Sequence, residues 1–205
     1  MVLRGKTKQE ALSEFRSAEI LQAAQKVFAQ KGFSQTTVEE IAQAAGVAKG
    51  TLYLYFPSKR EIYLGALRQG IGVLQERTRQ KVEAARTAPE KLLAFISSRV
   101  KYFEENRDFF KIYHSEFANL VTGSPRLDPN FKDLYGKPVA LLESVLQEGI
   151  RKREIRAVPA GLTAFAIYQM TREMIVRRVL GWSETSAVEE TEFIFDLVWQ
   201  GIGKH

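Results

Sequence analysis

Six neighbouring residues concentrate the chemistry of this chain. Lys49, Gly50, Thr51, Tyr53, Leu54 and Tyr55 place a cation, a hydroxyl, two phenols and an apolar side chain within about two helical turns. Lys49 can donate to a guanine edge or a phosphate oxygen, and Thr51 and Leu54 offer methyl groups to a thymine methyl. Gly50 lets a duplex backbone come close. Tyr53 and Tyr55 can rest their rings on their own domain and reach phosphates with their hydroxyls. Upstream, Thr37 stands at a helix start, where a hydroxyl and free backbone amides suit a phosphate oxygen or a plain cap. A solvated surface accounts for any of these residues singly, but the set at this spacing points to nucleic acid.

The elements around them must be short helices. Val38, Ile41 and Ala45 recur at helical spacing, and Thr37 with Glu40 has the separation of a capping box. Gly46 supplies the left-handed residue of a tight turn, and Val47 can plug the angle between two helices. Leu52 and Phe56 form the inward face of a second helix, whose outward face is the reactive set above. Two short helices joined by a glycine turn describe a helix-turn-helix over 37–56. Ahead of it, Ala18, Leu21, Ala24 and Phe28 predict a helix from Glu14 to Gln30, stopped by Gly32.

Downstream, Ser58 and Glu61 open a helix reaching about Glu83, and Thr87, Pro89 and Glu90 open the next. Asn106 or Asp108 starts another, ending near Leu120. Residues 121–130 read as a loop, followed by a helix from Phe131 or Pro138 to about Lys152. Pro159 to Leu180, with Gly181 as stop, and Ser186 to Gln200 complete an all-α pattern of about nine helices. The domains expected are 1–60, a three-helix DNA-binding head, and 61–205, a larger helical domain.

Composition narrows the function further. Cysteine is absent, and the histidines are His114 and His205. Disulfides, thiolate chemistry, a His-rich metal site and a histidine pair are therefore excluded, and no metal or cofactor is expected. His114 and Glu116 are two apart and do not share a helix face, and no nucleophile or phosphate-loop motif occurs, so no catalytic residues are assigned. The formal charge is +6, with net +4 in residues 1–60 and +2 in 61–205. Arg4, Lys6 and Lys8 form a basic arm suited to a minor groove or phosphates, or simply a solubilising tail. The start lacks the apolar region of a secretory signal and no run is long enough for a membrane span, so the expected location is the cytoplasm.

The segments ILQAAQKVFAQKGFSQTTVEEIA and GVAKGTLYLYFPSKREI resemble, continuously from about Ile20 to Leu67, the DNA-binding domain of TetR-family transcriptional repressors. Two positions depart from the family pattern: Leu54 where an aromatic is common, and Tyr55 where histidine is frequent. The resemblance implies that Lys59 binds a phosphate. It also implies a homodimer on a double-stranded, pseudo-palindromic operator, released by a small-molecule effector. The competing reading is a sequence-tolerant architectural DNA binder without an effector.

For the effector, three helix faces carry polar groups among apolar ones: Arg99 and Phe103; Phe110, His114 and Phe117; and Phe165, Gln169 and Arg172. Two arginines favour an anionic effector, although either can pair internally with Glu116 or Glu173. The resemblance makes 61–205 the effector-binding and dimerisation domain and its last two helices the dimer contact; their second apolar faces, Ile167, Tyr168, Ile175 and Val179 with Phe193, Ile194, Leu197 and Val198, support this.

Overall fold

The computed structural model describes residues 7–121 and 131–204, with side chains except at 117–121 and 131–135. Nine helices are present among the described residues: α1 (Lys8–Gln35), α2 (Val38–Ala44), α3 (Lys49–Tyr55), α4 (Lys59–Ala84), α5 (Ala88–Glu105), α6 (Arg107–Val121), α7 (Phe131–Arg151), α8 (Ala160–Val179) and α9 (Ala187–Ile202). None of these is long and apolar enough to cross a membrane. Capping boxes mark several of their starts. Thr37–Glu40, Thr87–Glu90 and Ser186–Glu189 fall at the expected positions. A fourth, Thr7–Glu10, starts α1 a turn and a half earlier than the apolar stripe indicates, so Lys8 is helical and not part of an extended arm. Arg4, Lys6 and His205 lie outside the described residues.

The chain forms two compact units, Met1–Gly70 with Asp108–Pro125, and Ile71–Arg107 with Arg126–His205. In the first, α1 breaks at Gly32, whose φ of 73° is left-handed, and a last turn carries on to Gln35. Helices α2 and α3 have seven residues each, too short to persist alone. They are held by burial of Val38, Ile41 and Ala42 on α2, which packs on α1, and of Leu52 on α3, which packs on α2; Ile20, Ala24 and Phe28 are buried on α1. Each large side chain so buried contributes roughly 1.5–3 kcal/mol. Gly46 turns the chain between them at a φ of 65°. The start of α4 belongs to this core through Ile62, Tyr63 and Leu67, as does α6 through Phe109, Phe110 and Tyr113.

In the second unit α5 lies against α7, α8 and α9, and α7 packs along α8. Its core includes Leu92, Phe95, Leu146, Ile167 and Ile194. A bridge of Ile155 with Gly203, flanked by Arg156 N–H to Ile202 O at 2.9 Å, ties the α7–α8 link to the end of α9.

Candidate functional site

The outward face of α3 is open. Lys49, Gly50 and Tyr53 are exposed, Thr51 and Tyr55 are half-buried, and Leu54 at 84% is the most exposed large apolar side chain described. Leu52, between them in sequence, is completely buried and fixes the rotation of the helix. Leu54 and Tyr55 border a shallow groove against Ser13, Ser17 and Leu21 of α1. More than two fifths of Tyr53 faces water. A methyl at Gly50 meets no neighbouring atom within 4 Å, so an approaching backbone finds unobstructed space there.

Charges on α2 hold the cations of this face. The Lys49 ammonium donates to the Glu39 carboxylate, and Lys31 donates to Glu40. Thr37 is committed to its cap: Glu40 N–H donates to its hydroxyl at 3.2 Å, and its own N–H donates to Glu40 at 2.9 Å. Its hydroxyl hydrogen is still available to a phosphate oxygen. Lys31 foremost, then the Thr37 amide, holds the Glu40 carboxyl down to about 2. A carboxyl depressed in the folded state supports the fold above its ordinary range near 4.5 and withdraws that support as pH falls through 2. Carbon-detected NMR of the Glu40 carboxyl should therefore show it still ionised at pH 3. Titration near 4.5 would mean that the Lys31 and Thr37 contacts do not form in solution.

Lys59, which the resemblance makes a phosphate ligand, also has partners inside its own unit. Its ammonium donates to the carbonyls of Phe33 and Thr36, both at 2.8 Å, and of Ser34 at 3.4 Å, and lies 4.6 Å from the Phe33 ring centre. The break at Gly32 strips these carbonyls of helical partners, and a cation is the donor that satisfies several at once.

The second unit contains a cavity of roughly 180 Å³ among α4, α5 and α7, bordered by Thr78, Arg79, Phe95, Arg99, Pro138 and Leu141, with Lys137 at its edge. Arg99 is 1% exposed, with its guanidinium 4.8 Å from the Tyr168 ring, 5.6 Å from Phe95 and 5.8 Å from Phe103. Aromatic faces stabilise a cation here. Of the effector candidates whose side chains are described, Arg99 borders the cavity and the others do not. Phe103 is buried a turn further along α5. Arg172 is buried and bonded to Glu173 at 3.0 Å, and Gln169 is half-buried with its Oε1 lacking a partner among the described residues. In the first unit, Phe110 is buried and stacks on His114 at 5.6 Å, and Glu116 takes the Tyr63 hydroxyl. The Phe117 side chain lies outside the described residues. Nothing in the local sequence pattern marks Arg79, Lys137 or Pro138 as lining a site. They meet only when α4 and α7 pack.

The apolar faces of α8 and α9 are assigned differently from the sequence expectation. Ile167, Tyr168, Ile175, Ile194 and Val198 are buried inside the subunit and form its core, and Val179 is half-buried. Phe193 and Leu197 are exposed, and so are Leu162 and the effector candidate Phe165. Both faces of each helix are apolar, so periodicity alone leaves open which one turns inward. Arg178 sets the pose: it donates to Glu190 at 2.9 Å, Glu104 at 3.3 Å and the Thr185 carbonyl at 2.7 Å, clasping α8, α9 and α5.

Residues 20–66 match the family model described as bacterial regulatory proteins of the tetR family, and residues 85–176 match the tetracyclin repressor-like C-terminal domain. The chain is 27% identical over 185 residues to the fatty acid metabolism regulator protein of Bacillus subtilis, spanning 90% of this chain and 94% of that protein. It is 31% identical over 142 residues to the transcriptional repressor KstR2 of Mycolicibacterium smegmatis, spanning 69% and 68%. Among solved structures, the regulator FadR of Bacillus subtilis in complex with stearoyl-CoA superposes with a TM-score of 0.73 at 26% identity, over 88% of this chain and 96% of that one.

Proposed function

Because the chain belongs to the TetR family of bacterial transcriptional regulators, we propose that it is a dimeric repressor whose operator grip is released by a long-chain acyl thioester of coenzyme A. The observation that carries this reading is the pairing, in one chain, of an open reading helix with a buried guanidinium beside an apolar cavity. Its relatives are regulators and not enzymes, and this reading assigns the chain no catalytic step and no cofactor. The protein works in the cytoplasm, where the DNA is.

On the reading head, Lys49 and Leu54 supply base contacts, with Thr51 beside them. Thr37, Tyr53 and Tyr55 supply phosphate contacts, and Gly50 admits the backbone. Lys59 acts one step back, bracing the turn that ends at Thr36, immediately before the Thr37 cap. Two heads related by a two-fold axis require a pseudo-palindromic duplex. Leu162, Phe165, Phe193 and Leu197 give the partner subunit an apolar face to cover.

For the effector, a FadR structure with stearoyl-CoA suggests the class, and the cavity supports it in two ways. Phe95, Pro138 and Leu141 suit an acyl chain, and Arg99, Arg79 and Lys137 suit its anionic part. At roughly 180 Å³ the cavity is smaller than the ~300–1,000 Å³ usual for drug-sized ligands. The ligand must widen it, so it binds a changed conformation better, and such differential affinity is what shifts a population. The test is calorimetric titration with stearoyl-CoA, free CoA and stearate: saturable binding confined to the thioester supports this class, and equal binding of free CoA sinks it.

Glu39 offers a separate check. Its carboxylate holds Lys49 and adds negative charge where phosphates must approach. Glu39→Gln should tighten operator binding roughly threefold and steepen its salt dependence, measured by fluorescence anisotropy across a salt series. Unchanged affinity would mean that Lys49 does not meet DNA.

A further inference from the structure

Glu116 lies on α6, well outside the helix-turn-helix, yet it is only 3% exposed. A buried carboxyl is costly unless hydrogen-bonded. Tyr63 of α4 meets it, donating its hydroxyl to Glu116 Oε1 at 2.6 Å. Tyr63 is in turn the centre of a ring cluster. Its ring meets Phe28 edge-on at 5.0 Å and Phe33 at 5.1 Å, so it touches α1 on both sides of the Gly32 break. The Phe33 ring lies beneath the Lys59 ammonium, which binds the Phe33 and Thr36 carbonyls. Thr36 adjoins the Thr37 cap of α2. A contiguous set of contacts thus joins Glu116 to the start of the helix-turn-helix, all within the first unit.

A second contact fixes the register of α4 on α6. A methyl at Gly70 would collide with the Phe109 ring. Tyr63 and Gly70 are seven residues apart on α4, and Phe109 and Glu116 are seven apart on α6, paired in reverse order. The helices therefore run antiparallel here, with two contacts about 10 Å apart along each. The glycine notch sets how closely they approach, and the hydrogen bond sets their slide and rotation. Displacing α6 by one turn would leave the Tyr63 hydroxyl without Glu116 and drive Phe109 off its notch.

We propose that Glu116 is a positioning residue for the DNA-reading head, holding the Phe33–Thr36 turn, and so the pose of α2 and α3, through Tyr63. This inference rests on the reading of the head as a DNA reader. The test uses full-length Glu116→Leu, Glu116→Gln and Tyr63→Phe proteins, and the Tyr63→Phe/Glu116→Leu double variant. The probes are a duplex that the unmodified protein selects from a randomised library, and an unrelated duplex. Tyr63→Phe removes one oxygen and keeps the ring cluster, so it tests the bond even if Glu116→Leu folds poorly.

Glu116→Leu and Tyr63→Phe should each weaken binding to the selected duplex about tenfold and leave the unrelated duplex within about twofold. Glu116→Gln, whose amide oxygen still accepts from Tyr63, should recover most of the loss, and the double variant should be no worse than either single one. Proteins that melt earlier but, while folded, bind the selected duplex as tightly as the unmodified chain would overturn the proposal and leave the pair a core contact. Losses in Glu116→Gln equal to those in Glu116→Leu would also overturn it. If the unmodified protein selects no duplex, the reading as a DNA reader falls first, and this inference with it.

Discussion

A Phe193→Asp protein should sediment as a monomer and bind its selected duplex roughly a hundredfold or more weakly. Phe193 is 57% exposed and lies one turn from exposed Leu197, with Leu162 and Phe165 forming the matching apolar surface on α8. A carboxylate at Phe193 barely disturbs the subunit core, because the residue is outside it, so folding should survive. Covering that face with a second copy would bury the charge, which is far more costly. Without the dimer each head binds alone and forfeits the high effective concentration that its tethered partner confers, typically worth 10²–10⁴ in affinity. Sedimentation velocity and anisotropy on one sample series check both halves. Ile194→Ala is the control: its side chain is fully buried, so it should lower stability by roughly 2–5 kcal/mol and leave the assembly state alone. A Phe193→Asp protein that remains dimeric at low micromolar concentration would show that this face is not the interface.

An Arg99→Met protein should hold the duplex normally and lose its response to the proposed acyl thioester. Arg99 is the cation most deeply buried at the cavity, held among Phe95, Phe103 and Tyr168. Truncating one partner of a buried charge pair costs about 2–5 kcal/mol, so thioester affinity should fall at least thirtyfold. Methionine fills much of the space and packs well on aromatic rings, so the folded subunit should survive. Calorimetry on the unmodified and Arg99→Met proteins reads the first effect, and a melting curve the second. Retained thioester affinity would assign Arg99 to core packing and move the anion site to Arg79 and Lys137.

The reading head was legible in the sequence because local rules and burial agree there. Thr37 and Glu40 cap α2, Gly46 takes the left-handed turn, and Leu52 points inward while Leu54 points out. The start of α1 had a signal, the Thr7–Glu10 spacing, but it lies in a polar stretch without apolar period. Lys59 was harder. Its use depends on carbonyls that become available only where α1 breaks at Gly32, and a lysine's sequence neighbours do not reveal acceptors some 25 residues away. The cavity was legible only through Arg99, since Arg79 and Lys137 look like ordinary surface cations until α4 and α7 pack. On α8 and α9 the pattern showed two apolar faces correctly but not their order. That order is set by the clasp of Arg178 on Glu104 and Glu190, residues 74 and 12 positions away.

The most direct test is anisotropy of the selected duplex, bound by the unmodified protein, during titration with stearoyl-CoA against free CoA and stearate. The thioester should return the signal to that of free DNA, and the two halves of the molecule should not. Anisotropy that stays at the bound value under saturating stearoyl-CoA would contradict release by an acyl thioester.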